Sequence, residues 1–146
     1  MTYTSSQAQA GRGSQLAIGG TPTMIGEVKG VPLNRGKWDL VDVTNFESGS
    51  DSEQMVTIRK PGSVTFTGNR VSGDAGQEAV ETAYQSGALA AFTLTLPKTA
   101  TQTSTGDKYT FNAFVVGSNF TDNVTQVIEF SIELQISGPC TLTVGS

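Results

Sequence analysis

The chain has no histidine, which removes Ser-His-Asp and Cys-His nucleophile systems, His-ligated zinc and His proton shuttles together. Cys140 is the only cysteine, so neither an intrachain disulfide nor a clustered thiolate metal site can form, and a buried, small apolar role is expected of it. Charge is scarce as well. Only 15% of residues are Asp, Glu, Lys or Arg, and the 9 basic against 13 acidic side chains give a formal net charge of −4. Such a chain does not bind nucleic acid by neutralising phosphates on a basic surface. Long apolar runs are also missing: the N-terminal region holds no signal-like apolar core, and no stretch of about 18 apolar residues occurs. The expectation is a protein made and kept soluble in a cytoplasm, with no membrane partner.

What is abundant is Gly, Thr and Ser, together 51 of the 146 positions, a mixture that favours strands and turns over helices. The length suits one domain, residues 1–146. Residues 1–22 are small and polar with Leu16 and Ile18 as anchors, and read as an extended N-terminal arm. Met24 to Val31 and Lys37 to Thr44 read as two strands joined by a Pro32/Asn34/Gly36 turn, an expected hairpin in which Trp38 and Leu40 share a core face. Residues 45–62 begin as a polar run with Phe46 as its only large apolar side chain, close on Pro61-Gly62, and read as one long loop. Ser63 to Val71 alternates with period two, Val64 and Phe66 on one face.

One helix is expected at 74–86: Asp74 can cap it with Gln77 three residues on, Val80, Ala83 and Tyr84 share a face, and Gly87 stops it. Ala91 to Leu96, ended by Pro97, and Lys108 to Val116, ended by Gly117, read as two further strands. Val124 to Ser137 gives the clearest pattern, with Ile128, Phe130, Ile132, Leu134 and Ile136 alternating with Glu129, Ser131, Glu133 and Gln135. Unbroken, its 14 residues reach roughly 46 Å, long for so small a domain and suggestive of a sheet extending beyond one subunit. Thr141 to Val144 forms a last short strand. The sequons at Asn119 and Asn123, without a secretory signal, read as turn-forming asparagines.

Only carboxylates remain for acid-base chemistry. Glu129 and Glu133 lie four apart on one strand, about 13 Å between Cα atoms, with no cleft implied, and Asp39 and Asp42 have opposite parity. Gly11-Arg12-Gly13 and Gly19-Gly20 lack the spacing and the strand-to-helix setting of a phosphate loop. No catalytic, cofactor or metal residues are expected, and the protein reads as a non-enzyme. The scattered basic residues suit acidic partners across a subunit contact better than nucleic acid.

The order of arm, strand pair, long polar loop, strand, single helix and run of strands resembles the major tail tube proteins of long-tailed, siphovirus-type (lambda-like) bacteriophages. The resemblance rests on Gly13-Ser14-Gln15-Leu16, Ile25-Gly26-Glu27-Val28, Leu40-Val41-Asp42-Val43-Thr44, and the run from Ile58 through Pro61-Gly62 to Gly68-Asn69. It implies a mainly β, sandwich- or barrel-like subunit with one flanking helix. Such subunits assemble as hexameric rings whose inner sheets join into a continuous β-barrel, and the rings stack into a hollow tube that conducts genome DNA. Its implied partners are further copies of the chain, a tape-measure protein, tail tip and tail terminator proteins, and double-stranded DNA in non-sticking transit. It also implies a place in the virion tail, reached from the host cytoplasm during assembly. Arm and loop should reach neighbouring subunits or rings, which makes Arg12, Leu16, Ile18, Phe46, Glu47, Asp51, Glu53, Arg59 and Lys60 the candidate contacts. Glu129, Ser131, Glu133 and Gln135 are candidates to face the lumen, where an acidic wall would repel DNA phosphates. A monomeric β-sandwich binding module, of adhesin or carbohydrate-binding type, is the rival reading; it would want exposed aromatics, and the sequence has one Trp and three Tyr.

Overall fold

The computed structural model describes residues 11–99 and 101–145. It contains ten strands and one helix in the order β1 (Gln15–Ile18), β2 (Thr23–Met24), β3 (Val28–Gly30), β4 (Lys37–Asp42), β5 (Gln54–Lys60), β6 (Ser63–Asn69), α1 (Ala75–Ser86), β7 (Leu89–Thr95), β8 (Lys108–Thr121), β9 (Glu129–Ile136) and β10 (Thr141–Thr143). Eight strands form one antiparallel sheet ordered β2-β1-β7-β8-β9-β6-β3, with β10 pairing the start of β8, while β4 and β5 form a separate two-stranded ribbon. The expected mainly β, barrel-like architecture with one flanking helix is what the chain adopts.

Alternation dictates the layers. In β6 the pattern Val64, Phe66, Gly68 is buried while Ser63, Thr65 and Thr67 are exposed, and in β9 Phe130, Ile132, Leu134 and Ile136 are buried between Glu129, Ser131, Glu133 and Gln135. Directly opposed residues share a face, so the Phe66–Ile132, Val64–Leu134 and Phe92–Phe111 pairs all point into one core. Phe92 and Phe111 stack at 5.7 Å and Phe66 meets Phe130 edge-on at 6.0 Å. Leu16 from one end of the sheet and Val28 from the other join the same cluster, so the sheet curls round its core, and Val80 of α1 closes it. Cys140 is buried in this cluster, as its small apolar character led one to expect.

The helix starts where the sequence places it. Asp74 has extended backbone and its carboxylate accepts from the Gln77 N–H at 3.0 Å, and Gly87 ends the helix in the left-handed region at φ 69°. Gln77 does not return a bond to its cap; its side chain accepts from the Val71 N–H and donates to the carbonyls of Gly26 and Asn69, pinning the helix start to the ends of β3 and β6.

Five expectations are corrected. The 24–31 and 37–44 segments do not pair: β2 joins β1, β3 joins β6, and β4 pairs with β5. The chain breaks at Gly26-Glu27, where Glu27 has φ 60° and a Cβ on Gly26 would lie 2.7 Å from the Asp74 carboxylate. The long loop is shorter than expected, because 54–60 is strand β5. Within the expected arm, Gln15–Ile18 is a strand of the main sheet; residues 1–10 lie outside the described ones. The 14-residue strand is β8, not 124–137, since Asn123 makes a side-chain turn with Thr125 that delays β9 to Glu129, while β8 continues through Gly117 to Thr121 by a register shift. Asn119 is therefore a strand residue, whereas Asn123 forms the expected turn.

Candidate assembly surfaces

Two surfaces stand out, an apolar ribbon with nothing on it and a polar sheet face. The ribbon comes first. Trp38, Leu40 and Val56 share one side, and Val41 and Met55 the other, by the register Trp38–Arg59, Leu40–Val56 and Val41–Met55. All are exposed, Trp38 by 53%, Leu40 by 59% and Ile58 by 63%, and Phe46 at the ribbon's turn is fully exposed. Trp38 was expected in the core; alternation put it beside Leu40 correctly, but the sheet it belongs to covers neither side. A two-stranded ribbon is marginal alone in water. Here it is tied by Lys60–Asp39 at 3.3 Å, by Arg59 over the Trp38 ring at 5.4 Å, and by a tip in which Asp42 accepts from the Thr44 N–H at 2.8 Å. Those Thr44 bonds, from hydroxyl and then backbone, hold the Asp42 carboxyl below its ordinary value. Contiguous apolar side chains exposed on both sides of a separate two-stranded ribbon make it a candidate protein–protein contact.

Of the contact candidates, Phe46, Glu47, Asp51, Glu53, Arg59 and Lys60 all lie exposed on this ribbon. Arg12 is exposed in the turn that precedes β1. Leu16 and Ile18 are not surface residues: pairing with Leu94 and Phe92 turns both into the core, where they are 1% and 4% exposed. Sequence reasoning missed Trp38, Leu40, Val41, Met55, Val56 and Ile58; the signal was an apolar run beside a polar one, which looked like ordinary strand and loop.

The second surface is the open face of the main sheet. It carries Ser63, Thr65 and Thr67 of β6 opposite Gln135, Glu133 and Ser131 of β9, and Thr93 of β7 opposite Thr110 of β8, itself opposite Thr141 of β10. The four lumen candidates are thus neighbours on one hydroxyl-rich surface. Its charge is nearly balanced. Glu129 pairs with Lys29 at 2.6 Å and Lys108 lies at the far end, leaving Glu133 as the carboxylate with no ion pair among the described residues. Leu89 opposite Phe114 forms an apolar island on the same face. Among the described residues no group of three or more His, Cys, Asp or Glu is placed to hold a metal, and no helix is long and apolar enough to cross a membrane.

No protein-family model matches the chain. It is 35% identical over 85 residues to the tail tube protein gp17.1* of Bacillus phage SPP1, a match spanning 56% of this chain and 30% of that protein's length. In structure it is similar to the SPP1 tail tube determined by solid-state NMR and cryo-EM, with TM-score 0.61, 21% identity, and coverage of 91% of this chain and 77% of that one. It is also similar to a chain in the C6-symmetric tail of a gene transfer agent particle, with TM-score 0.70, 15% identity, and coverage of 95% and 100%. A chain of the 6-fold symmetrised anti-feeding prophage baseplate gives TM-score 0.70 at 12% identity, covering 97% and 98%. The fold is that of the tubes of phage tails and related injection machines.

Proposed function

We propose that this chain, carrying the tail tube fold, is the structural subunit of a tail tube, assembling with further copies as hexameric rings that stack round an open channel. The observation that carries the reading is the uncovered ribbon: a chain that exposes apolar side chains on both sides of a two-stranded element is complete only beside other chains. The short end strands β2 and β3 support it, since each leaves one edge of the main sheet open for lateral extension by a neighbour. The role is structural rather than enzymatic, a reading supported by the likeness to tail tube proteins. The Arg12 region and the ribbon residues Phe46, Glu47, Asp51, Glu53, Arg59 and Lys60 make the contacts between subunits.

The open sheet face lines the channel. Its threonines, serines and amides present no array of cations to phosphate, so DNA in transit gains no counterion-release free energy and does not stick. A tape-measure protein fills this channel during assembly, tail tip and terminator proteins close its ends, and the product resides in the virion tail after assembly in the host cytoplasm.

Electron microscopy of the purified full chain over rising concentration tests the reading. Hollow six-fold rings and cylinders are expected; a particle that stays at 15.3 kDa at every concentration would overturn it in favour of a monomeric binding module.

A further inference from the structure

Basic and acidic side chains are segregated to opposite ends of the strands. At the end where β1 and β8 begin and β7 finishes lie Arg12, Lys98 and Lys108, with Arg35 5.2 Å over the Tyr109 ring and Lys37 opposite Lys60 at the root of the ribbon. Arg59 is adjacent; the acids there are Asp107, bonded by Gln102 and the Gly145 N–H, and Asp39, paired to Lys60. At the other end, where β6 and β8 finish and β9 and α1 begin, are Glu27, Asp74, Glu78, Glu81, Asp122 and Glu129, against Lys29 and Arg70. Seven of the 9 bases of the chain thus share one end, while the opposite end is acidic. Most of these side chains are exposed.

We propose that the chain associates head to tail with a second copy, the acidic end formed by α1 and the finish of β8 seating on the basic end formed by Arg12, Arg35, Lys98 and Lys108. The inference rests on the tube reading and names the surface by which successive rings meet. Two different, complementary patches make a heterologous contact, which propagates as an open stack rather than closing on itself. Like ends repel, so the charge also forbids the inverted arrangement and gives the stack one polarity. The acidic tip of the ribbon, with Glu47, Asp51 and Glu53, competes for the same basic end; the helix end is favoured because its carboxylates sit on rigid elements whose strands run directly from one end to the other.

The experiment measures polymer length by electron microscopy and sedimentation for the full chain. Arg12→Glu with Lys98→Glu, and separately Glu78→Lys with Glu81→Lys, should each shorten polymers at least tenfold while thermal melting of the unassembled chain stays unchanged. Combining all four substitutions in one chain should restore polymers. Wild-type polymers should also shorten as salt rises from 0.05 to 1 M, where the screening length falls to about 3 Å. The proposal is overturned if either reversal leaves polymers at full length, if the combined variant is no better than its parents, or if Glu47→Lys with Asp51→Lys rescues the basic-end variant instead. A wild-type chain that polymerises under no condition overturns the tube reading itself.

Discussion

Asp74 joins two elements through a single carboxylate oxygen. One oxygen of its carboxylate caps α1 through the Gln77 N–H and also accepts from the Gly26 N–H at 3.1 Å, linking the helix start to the break between β2 and β3. Asp74→Ala should lower the unfolding free energy by about 1–2 kcal/mol in urea titrations, the range for a lost N-cap, with Asp74→Asn recovering most of it. In the core, Phe66 has no exposed surface, and Phe66→Ala should cost about 3–5 kcal/mol. Asp42 acts differently. Its carboxyl is held below the ordinary value of 3.8, so the order it lends the ribbon tip is complete above that value and is lost as pH falls through the lowered one. The protection factor of the Thr44 amide, exchange measured relative to its intrinsic rate at each pH, should therefore be flat from neutral pH down to about 5 and fall below 3.8. A change at higher pH would assign the order to another group.

Elements were legible in the sequence where one signal fixed both type and partner. The α1 segment has a cap, a face and a stop, and its bounds follow. The β9 alternation fixes its faces, but Val124 and Val127 continue the apolar count without continuing the strand, because the Asn123 turn offers the backbone local bonds that compete with the ladder. Gly117 looked like a strand end and is a mid-strand register shift opposite Glu133. The β4–β5 pairing was hidden for another reason: alternation reveals a face, never what covers it, and Trp38 and Leu40 stay largely exposed among the described residues, Trp38 with only the Arg59 side chain over its ring. That separation of folding from assembly predicts the outcome of changing the ribbon. Leu40→Ser with Ile58→Ser removes exposed apolar area, so the unassembled chain should keep its stability within about 0.5 kcal/mol. The concentration needed for ring formation, followed by sedimentation, should rise at least tenfold. Equal loss of both would make the ribbon part of the fold rather than of the contact.

For the whole molecule, strand length and face chemistry meet in one geometry. At about 3.3 Å per residue, the 14 residues of β8 span roughly 46 Å, and a barrel tilt of about 40° projects that to roughly 35 Å along an axis. The ring repeat should fall near 35–45 Å. If the open face lines the channel, Glu133 points inward beside Ser131 and Thr65, and a probe there must enter through the tube's bore. A Glu133→Cys chain allows this to be read, because Cys140 is buried and gives little background. In assembled tubes a small biotin-maleimide should label position 133, yet an avidin-sized protein should fail to bind the label until the tubes are dissociated; immediate binding along intact tubes would put this face outside. The electrostatic consequence can then be tested on the same face. Ser131→Lys with Glu133→Lys leaves the Lys29–Glu129 pair intact and adds two cations beside the threonine rows. Rings of such cations act on phosphates that pass within a screening length of about 8 Å of the wall at physiological salt. Tubes should still form, and DNA passage should slow in a salt-dependent way. Unchanged passage through tubes whose position 133 is proven internal would mean that the bore is too wide for wall charge to act on the duplex.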